Sequence, residues 1–120
     1  MKKRKKLSKA ERWEVYEKCA GHCAYCGAPI QIKDMQADHI VALERGGADT
    51  VDNMLPACRS CNHFKSASTI ETFRRMIEDW PRVLARDSIT YKNAVRYGLV
   101  LPNPKPIKFY FETMEVRNED

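Results

Sequence analysis

The chain has 120 residues, and 21 lysines and arginines against 16 aspartates and glutamates give it a formal net charge of +5. This length is enough for one modest domain, and the basic balance favours a polyanionic partner. No apolar run is long enough to cross a membrane. Five cysteines leave one unpaired in any complete disulfide scheme. We therefore expect metal-binding thiols in a reducing cytoplasm, not a secreted disulfide framework.

The chain begins with a basic tail over residues 1–7, which contains four lysines and one arginine in succession. Such a run predicts a disordered tail that is either solvated or lies along the phosphates of a polyanion. Ser8 and Glu11 have the spacing of a capping box and predict a helix start. The spacing of Trp13, Tyr16 and Ala20 predicts that these residues form the buried face of the helix.

Two Cys-x-x-Cys pairs are the strongest motif in the chain: Cys23 with Cys26, and Cys58 with Cys61. Two such pairs supply four soft ligands to a tetrahedral ion and leave no open position, so they predict a structural Zn²⁺ site. The alternative is a set of free or disulfide-bonded cysteines. His22 is a spare ligand that four thiols make unnecessary, and the odd Cys19 is expected to be a small core residue.

A polar set of residues lies between the two pairs. Residues 35–41 predict a short strand that carries Asp38 and His39, which would face opposite sides unless a strand end or bulge brings them together. Residues 44–53 contain Gly46-Gly47 and predict a loop, after which residues 53–56 re-enter the core. A helix from residue 59 onward would carry Asn62. This order predicts strand, loop, strand and helix.

The remainder of the chain shows helical periodicity without a chemical motif. A helix face is indicated by apolar residues from Ile70 to Trp80, and Pro81 is expected to limit that helix. Residues 88–97 predict a further helix that stops at Gly98. Residues 107–112 alternate and predict a strand with Phe109 and Phe111 on one side.

Taken in order, Cys-x-x-Cys, Asp-His-Ile, Gly-Gly, Asn-Met-Leu, Cys-x-x-Cys-Asn and Lys65 resemble the zinc-containing HNH endonucleases. The resemblance implies an α+β fold with a ββα-metal (HNH, or His-Me finger) core at residues 8–67, stapled by the four-cysteine zinc site and flanked by helices. Residues 68–120 would be a helical extension that ends in the C-terminal strand and belongs to the same domain. That extension is similar to the one in some small phage-encoded HNH proteins.

The resemblance also implies a role for each residue of the polar set. His39 would be the general base that activates water, and Asp38 with Asn62 would hold a catalytic Mg²⁺ or Mn²⁺. Asn53 would fix the loop and the orientation of His39. The last histidine of the family falls at Asn62, a departure that occurs in a recognised variant of the family. His63 stands beside it as an alternative.

We therefore interpret the chain as a metal-dependent endonuclease that hydrolyses DNA phosphodiester bonds in the cytoplasm of a bacterial or phage-infected cell. DNA would be its partner, and a phage or host protein could supply specificity. A non-catalytic zinc-dependent DNA-binding module is the competing hypothesis, and a thiol redox protein is a third. The set of His39, Asp38 and Asn62 favours the enzyme over the binding module. The two paired cysteine motifs argue against the redox protein.

Overall fold

A computed structural model describes residues 6–103 and 105–118, so most of the predicted basic tail lies outside the described residues. The elements within these ranges are α1 (Lys9–Glu17), β1 (Gln36–His39), β2 (Met54–Ala57), α2 (Arg59–Lys65), α3 (Ile70–Asp87), α4 (Ile89–Arg96) and α5 (Tyr110–Asn118). No helix in the described ranges is long and apolar enough to cross a bilayer. The chain forms two compact units: Met1–Ile70 with Lys108–Asp120, and Glu71–Ile107. The assignment of residues 68–120 to one domain with the core stays a prediction.

Helix α1 begins with the predicted capping box. The Ser8 hydroxyl accepts a hydrogen bond from the Glu11 backbone, and the Glu11 carboxylate accepts one from the Ser8 backbone. The predicted buried face was wrong, because Val15 is the buried residue and Trp13 is 40% exposed. These two residues are two positions apart, which places them about 200° apart around a helix. Residues on the Val15 side, not the aromatic side of Trp13, therefore face the core.

The two predicted strands form an antiparallel pair in which Gln36 lies opposite Ala57 and His39 lies opposite Met54. β1 is shorter than the predicted stretch because it ends at His39, and the chain then enters a loop. Met35, Ala37, Met54 and Val15 pack together as the core of the first unit. The predicted helix follows β2 directly as α2, so the order is strand, strand and helix.

The C-terminal strand predicted for residues 107–112 was wrong, since helix α5 begins at Tyr110. The Phe109 backbone N–H donates to the Glu112 carboxylate at 2.8 Å, which closes the first helical turn. The alternation of Phe109 and Phe111 has a different cause, because both rings pack edge-on against Tyr25. The backbone N–H groups at the start of α5 also donate to the carbonyls of residues 24 and 25. This segment therefore braces the first cysteine pair.

The second unit contains most of α3 together with α4. Pro81 does not end α3, contrary to the prediction, and the helix continues to Asp87. A proline removes one backbone hydrogen bond and strains one turn, but intact turns on both sides can hold a long helix together. α4 begins at the predicted position, where the Ser88 hydroxyl accepts from the Tyr91 backbone. Ile107 returns to α3 through hydrogen bonds with Arg74 and Glu78.

Candidate functional site

The four predicted zinc ligands meet at one point in the first unit. The sulfur atoms of Cys23, Cys26, Cys58 and Cys61 all lie within 4.8 Å of one another, and the Sγ atoms of Cys26 and Cys58 are 3.9 Å apart. A tetrahedron with Zn–S arms of ~2.3 Å has edges of ~3.8 Å, so the separation fits a zinc ion. Within the described ranges, this is the group of His, Cys, Asp or Glu side chains placed closely enough to share an ion.

Backbone geometry prepares both cysteine pairs for thiolate chemistry. The Cys23 sulfur accepts from the Tyr25 N–H, and the Cys58 sulfur caps α2 by accepting from the Cys61 N–H. A hydrogen bond from the Cys61 thiol lowers the pKa of Cys23 to about 4. The same shared proton raises the pKa of Cys61. A divalent cation would take the place of that proton, which is the exchange that a zinc site requires.

Two further candidate ligands lie outside the cage. Cys19 is buried, and burial raises the pKa of its thiol to about 11, as expected for a small core residue. The His22 Nδ1 faces the backbone carbonyls of Cys19 and Ala20, and its ring stacks on Tyr110. The structure therefore gives His22 a packing role and leaves the cage to the four cysteines.

A cleft of about 410 Å³ opens beside the end of β1. Residues from β1, from the loop after it and from α2 line this cleft. Asp38, His39 and Asn62 are all among the lining residues, so the strand end brings the predicted polar set together. His63 and Glu44 also line it. The cleft thus contains a histidine, two carboxylates and an amide.

His39 is held by a partner that the sequence did not indicate. Its Nε2 lies 2.9 Å from the Asp49 Oδ1, and its side chain is 10% exposed. An ionised carboxylate can only accept, so Nε2 carries the proton and Nδ1 is the basic nitrogen. Asp49 belongs to the loop that begins after β1, and no spacing rule singles it out. Its position becomes visible only when the loop is folded.

Asn53 fixes that loop, in agreement with the predicted position. Its amide donates to the carbonyls of Val41 and Ala48, and its oxygen accepts from the Val41 backbone. The neighbouring Gly47 has no room for a side chain, since a Cβ atom there would lie 1.8 Å from the Val41 oxygen. Asn53 therefore places Ala48, and through it the adjacent Asp49, beside His39.

Asp38 is buried and has two partners on the same oxygen. Its Oδ2 accepts from the Tyr25 hydroxyl at 2.6 Å and lies 3.1 Å from the Lys65 Nζ. Lys65 also donates to the His39 carbonyl at 3.0 Å. Burial and the Asp38 carboxylate raise the pKa of Tyr25 well above its usual range, so its hydroxyl remains a donor. The sequence motif includes Lys65, but neither its partner nor the link to Tyr25 could be predicted from it.

Asn62 completes the oxygen donors of the cleft. It is half-buried, and its side chain makes no hydrogen bond to the described residues. Amide and carboxylate oxygens are the ligands that Mg²⁺ and Mn²⁺ prefer, so Asp38 and Asn62 fit a hard divalent ion. The alternative His63 lines the same cleft but is exposed, and its ring packs edge-on against Phe64.

Comparison with known proteins adds an independent finding. The CRISPR-associated endonuclease Cas9 of Corynebacterium diphtheriae is 28% identical over 93 residues, which cover 75% of this chain and 8% of that protein. The crystal structure of the Type II-C Cas9 enzyme from Actinomyces naeslundii matches with a TM-score of 0.51 at 22% identity and covers 87% of this chain and 12% of that one. The second likeness concerns the fold alone, and the chain spans only a small part of either relative.

A family model assigns the segment that contains both the cage and the cleft. Residues 23–68 match the model of the HNH endonucleases. This range runs from the first cage cysteine past α2, and it includes β1, the loop and β2. Residues 23–68 therefore belong to the HNH endonuclease family and form its ββα-metal fold.

Proposed function

We propose that this chain is a metal-dependent endonuclease that hydrolyses phosphodiester bonds in DNA. One observation carries the proposal: Asp38, His39 and Asn62 line a single cleft, and His39 is backed by a carboxylate. The net charge of +5 supports a polyanionic substrate. The family of residues 23–68 supports phosphodiester hydrolysis over other reactions.

His39 is the proposed general base. Its Nδ1 would take a proton from a water molecule in the cleft, and the Asp49 carboxylate would stabilise the imidazolium through the Nε2–H bond. Asn53 keeps Asp49 in place through the Ala48 carbonyl. This arrangement gives one nitrogen a fixed donor function and leaves the other free to act on water.

Asp38 and Asn62 are the proposed ligands of a catalytic Mg²⁺ or Mn²⁺. Such an ion, when bound, neutralises charge on the scissile phosphate and the leaving 3′ oxygen. The contribution of the chain is to present one carboxylate oxygen and one amide oxygen on the cleft wall. Lys65 supports this by holding the Asp38 carboxylate and the His39 carbonyl together. The four-cysteine cage would hold Zn²⁺ in a purely structural role.

Biological context extends the proposal beyond the site. DNA is the proposed partner, and the small size of the core suggests that a phage or host protein supplies sequence specificity. We place the protein in the cytoplasm of a bacterial or phage-infected cell, where reduced thiols can hold zinc.

Plasmid cleavage tests the proposal. We expect the purified zinc-loaded protein to nick or linearise supercoiled plasmid with Mg²⁺ or Mn²⁺, and EDTA to stop the reaction. His39→Ala should retain zinc and DNA binding but cut ~10²–10⁴-fold more slowly, since the general base is lost. His63→Ala is the matched control in the same cleft and should cut at close to the parental rate. A parent that binds DNA but never cuts with any divalent ion would favour the non-catalytic zinc module.

A further inference from the structure

A hydrogen bond links the zinc cage to the cleft. Tyr25 lies between the cage residues Cys23 and Cys26, and its hydroxyl reaches the Asp38 Oδ2 at 2.6 Å. Tyr25 is 3% exposed, Asp38 is 5% exposed and Lys65 is 1% exposed. A contact this short between groups this well shielded from water holds both partners in one orientation.

We propose that Tyr25 is a positioning residue that sets the Asp38 carboxylate for the catalytic divalent ion and thereby couples the structural zinc site to that ion. The inference rests on the proposed function for the identity of Asp38 as a ligand. It extends that function by naming a residue that never touches the ion but controls how well the ion is held.

The two contacts of Asp38 leave its oxygens unequal. Tyr25 and Lys65 both engage Oδ2, and no described residue is recorded as a partner of Oδ1. The residue lines the cleft, and no fully buried side-chain oxygen or nitrogen among the described residues lacks a partner. Oδ1 is therefore the oxygen that the cleft can reach. The hydroxyl on Oδ2 selects which oxygen that is.

Lys65 alone does not fix this orientation. Its ammonium group is shared between the Asp38 carboxylate and the His39 carbonyl. An ammonium is a compact charge without a planar fork, so it tolerates rotation of the carboxylate. The tyrosine hydroxyl is a single directed donor on a rigid ring, and it supplies the angular restraint that the lysine lacks.

The position of Tyr25 is itself set by the cage. Its N–H donates to the Cys23 sulfur, and its carbonyl accepts from the Tyr110 backbone. Its ring packs edge-on against Phe109 and Phe111. A change in the first cysteine pair would therefore move the hydroxyl and, through it, Asp38.

Loss of the hydroxyl has two opposing effects on the divalent ion. Without the donor, Asp38 carries more negative charge on its oxygens, which favours a cation. The carboxylate also loses its orientation, which disfavours a cation. Removal of a hydrogen-bond partner behind a metal ligand usually weakens metal affinity by ~10–100-fold, so we expect the orientation effect to dominate.

Two tyrosine-to-phenylalanine variants separate coupling from general stability. Tyr25→Phe removes the hydroxyl on Asp38, whereas Tyr16→Phe removes a hydroxyl that donates to the Ile30 carbonyl at the same 2.6 Å. Mn²⁺ affinity is measured by electron paramagnetic resonance on zinc-loaded protein without DNA, and bound zinc is quantified for each variant. We expect Tyr25→Phe to weaken Mn²⁺ binding by ~10-fold or more and Tyr16→Phe to leave it unchanged. Equal effects of the two variants, or none for Tyr25→Phe, would overturn the proposal.

Asp38→Ala distinguishes a failed inference from a failed function. If Asp38→Ala binds Mn²⁺ as the parent does, Asp38 is not a ligand and the proposed metal site itself is wrong. If Tyr25→Phe does not fold, the parent provides the test by nuclear magnetic resonance. The shielded Tyr25 hydroxyl proton should give a resonance that shifts with Mg²⁺ along the binding curve. A resonance that stays constant through saturation would refute the coupling.

Discussion

Asp49 offers the sharpest test of the proposed base, because its neutral replacements are expected to rank in an unusual order. The carboxylate fixes the proton on the His39 Nε2 across 2.9 Å. In Asp49→Ala, water can replace the carboxylate, since the Asp49 side chain is 24% exposed. In Asp49→Asn, the amide group can donate to Nε2 and move the proton to Nδ1, which removes the basic nitrogen from the water.

The magnitudes follow from these two situations. Asp49→Ala should lower kcat by ~10–100-fold, as is usual when the partner of a working histidine is lost. Asp49→Asn should be at least as slow and should approach the ~10²–10⁴-fold loss expected for His39→Ala. Both variants should keep the parental Mn²⁺ half-saturation, because Asp38 and Asn62 are unchanged. The assay is plasmid relaxation at saturating Mn²⁺, with bound zinc measured on the same samples.

Asp52→Asn is the matched control for charge. Asp52 is an exposed carboxylate in the same loop, and its side chain makes no hydrogen bond to the described residues. It should cut at close to the parental rate. If Asp49 served only to stabilise the loop, the isosteric Asn would disturb it less than Ala. A faster Asp49→Asn than Asp49→Ala, or parental rates for both, would therefore contradict the assignment.

Three further predictions concern the cage, the loop and the tail. Cys58→Ala should lose zinc and cooperative thermal unfolding, because structural zinc supplies ~10–16 kcal/mol of apparent binding energy, whereas Cys19→Ala should keep its zinc. Asn53→Ala removes three loop hydrogen bonds and should lower both Tm and kcat while the zinc content stays constant. Deletion of residues 1–6 removes five positive charges. It should lower the log–log salt slope of duplex binding by roughly 0.9 for each lost contact, and an unchanged slope would indicate a solvated tail.

Local signals explain what the sequence could predict. The cysteine spacing, the capping box at Ser8 and the short apolar stretches each act within a few residues, so the cage, both strands and α2 were predicted correctly. The pair Asp38 and His39 was placed at one site through a strand end, which is where β1 stops. Within the helices, the errors at Trp13 and Pro81 came from reading apolar type and proline as if each fixed orientation or length.

Contacts between distant positions explain what could not be predicted. Asp49 meets His39 across 10 residues, and Tyr25 meets Asp38 across 13. No periodicity connects such positions, because their approach depends on the path of the loop and on the packing of the knuckle. The C-terminal pattern failed for the same reason. Its alternating phenylalanines report contact with Tyr25, which a sheet would also have required.

The charge balance of the cleft bears on how the catalytic ion would be held. Lys65 already compensates the buried Asp38, and Asn62 is neutral. The chain therefore offers the ion little net negative charge from these ligands. Mg²⁺ is usually bound through one or two carboxylates together with substrate phosphates. The scissile phosphate would supply the missing charge, so DNA binding and ion binding should be reciprocal. We expect duplex DNA to tighten Mn²⁺ binding to the uncleaving His39→Ala variant, and to do so much less in Asp38→Ala. Independent binding of the two ligands would mean that the ion and the phosphate do not share one site.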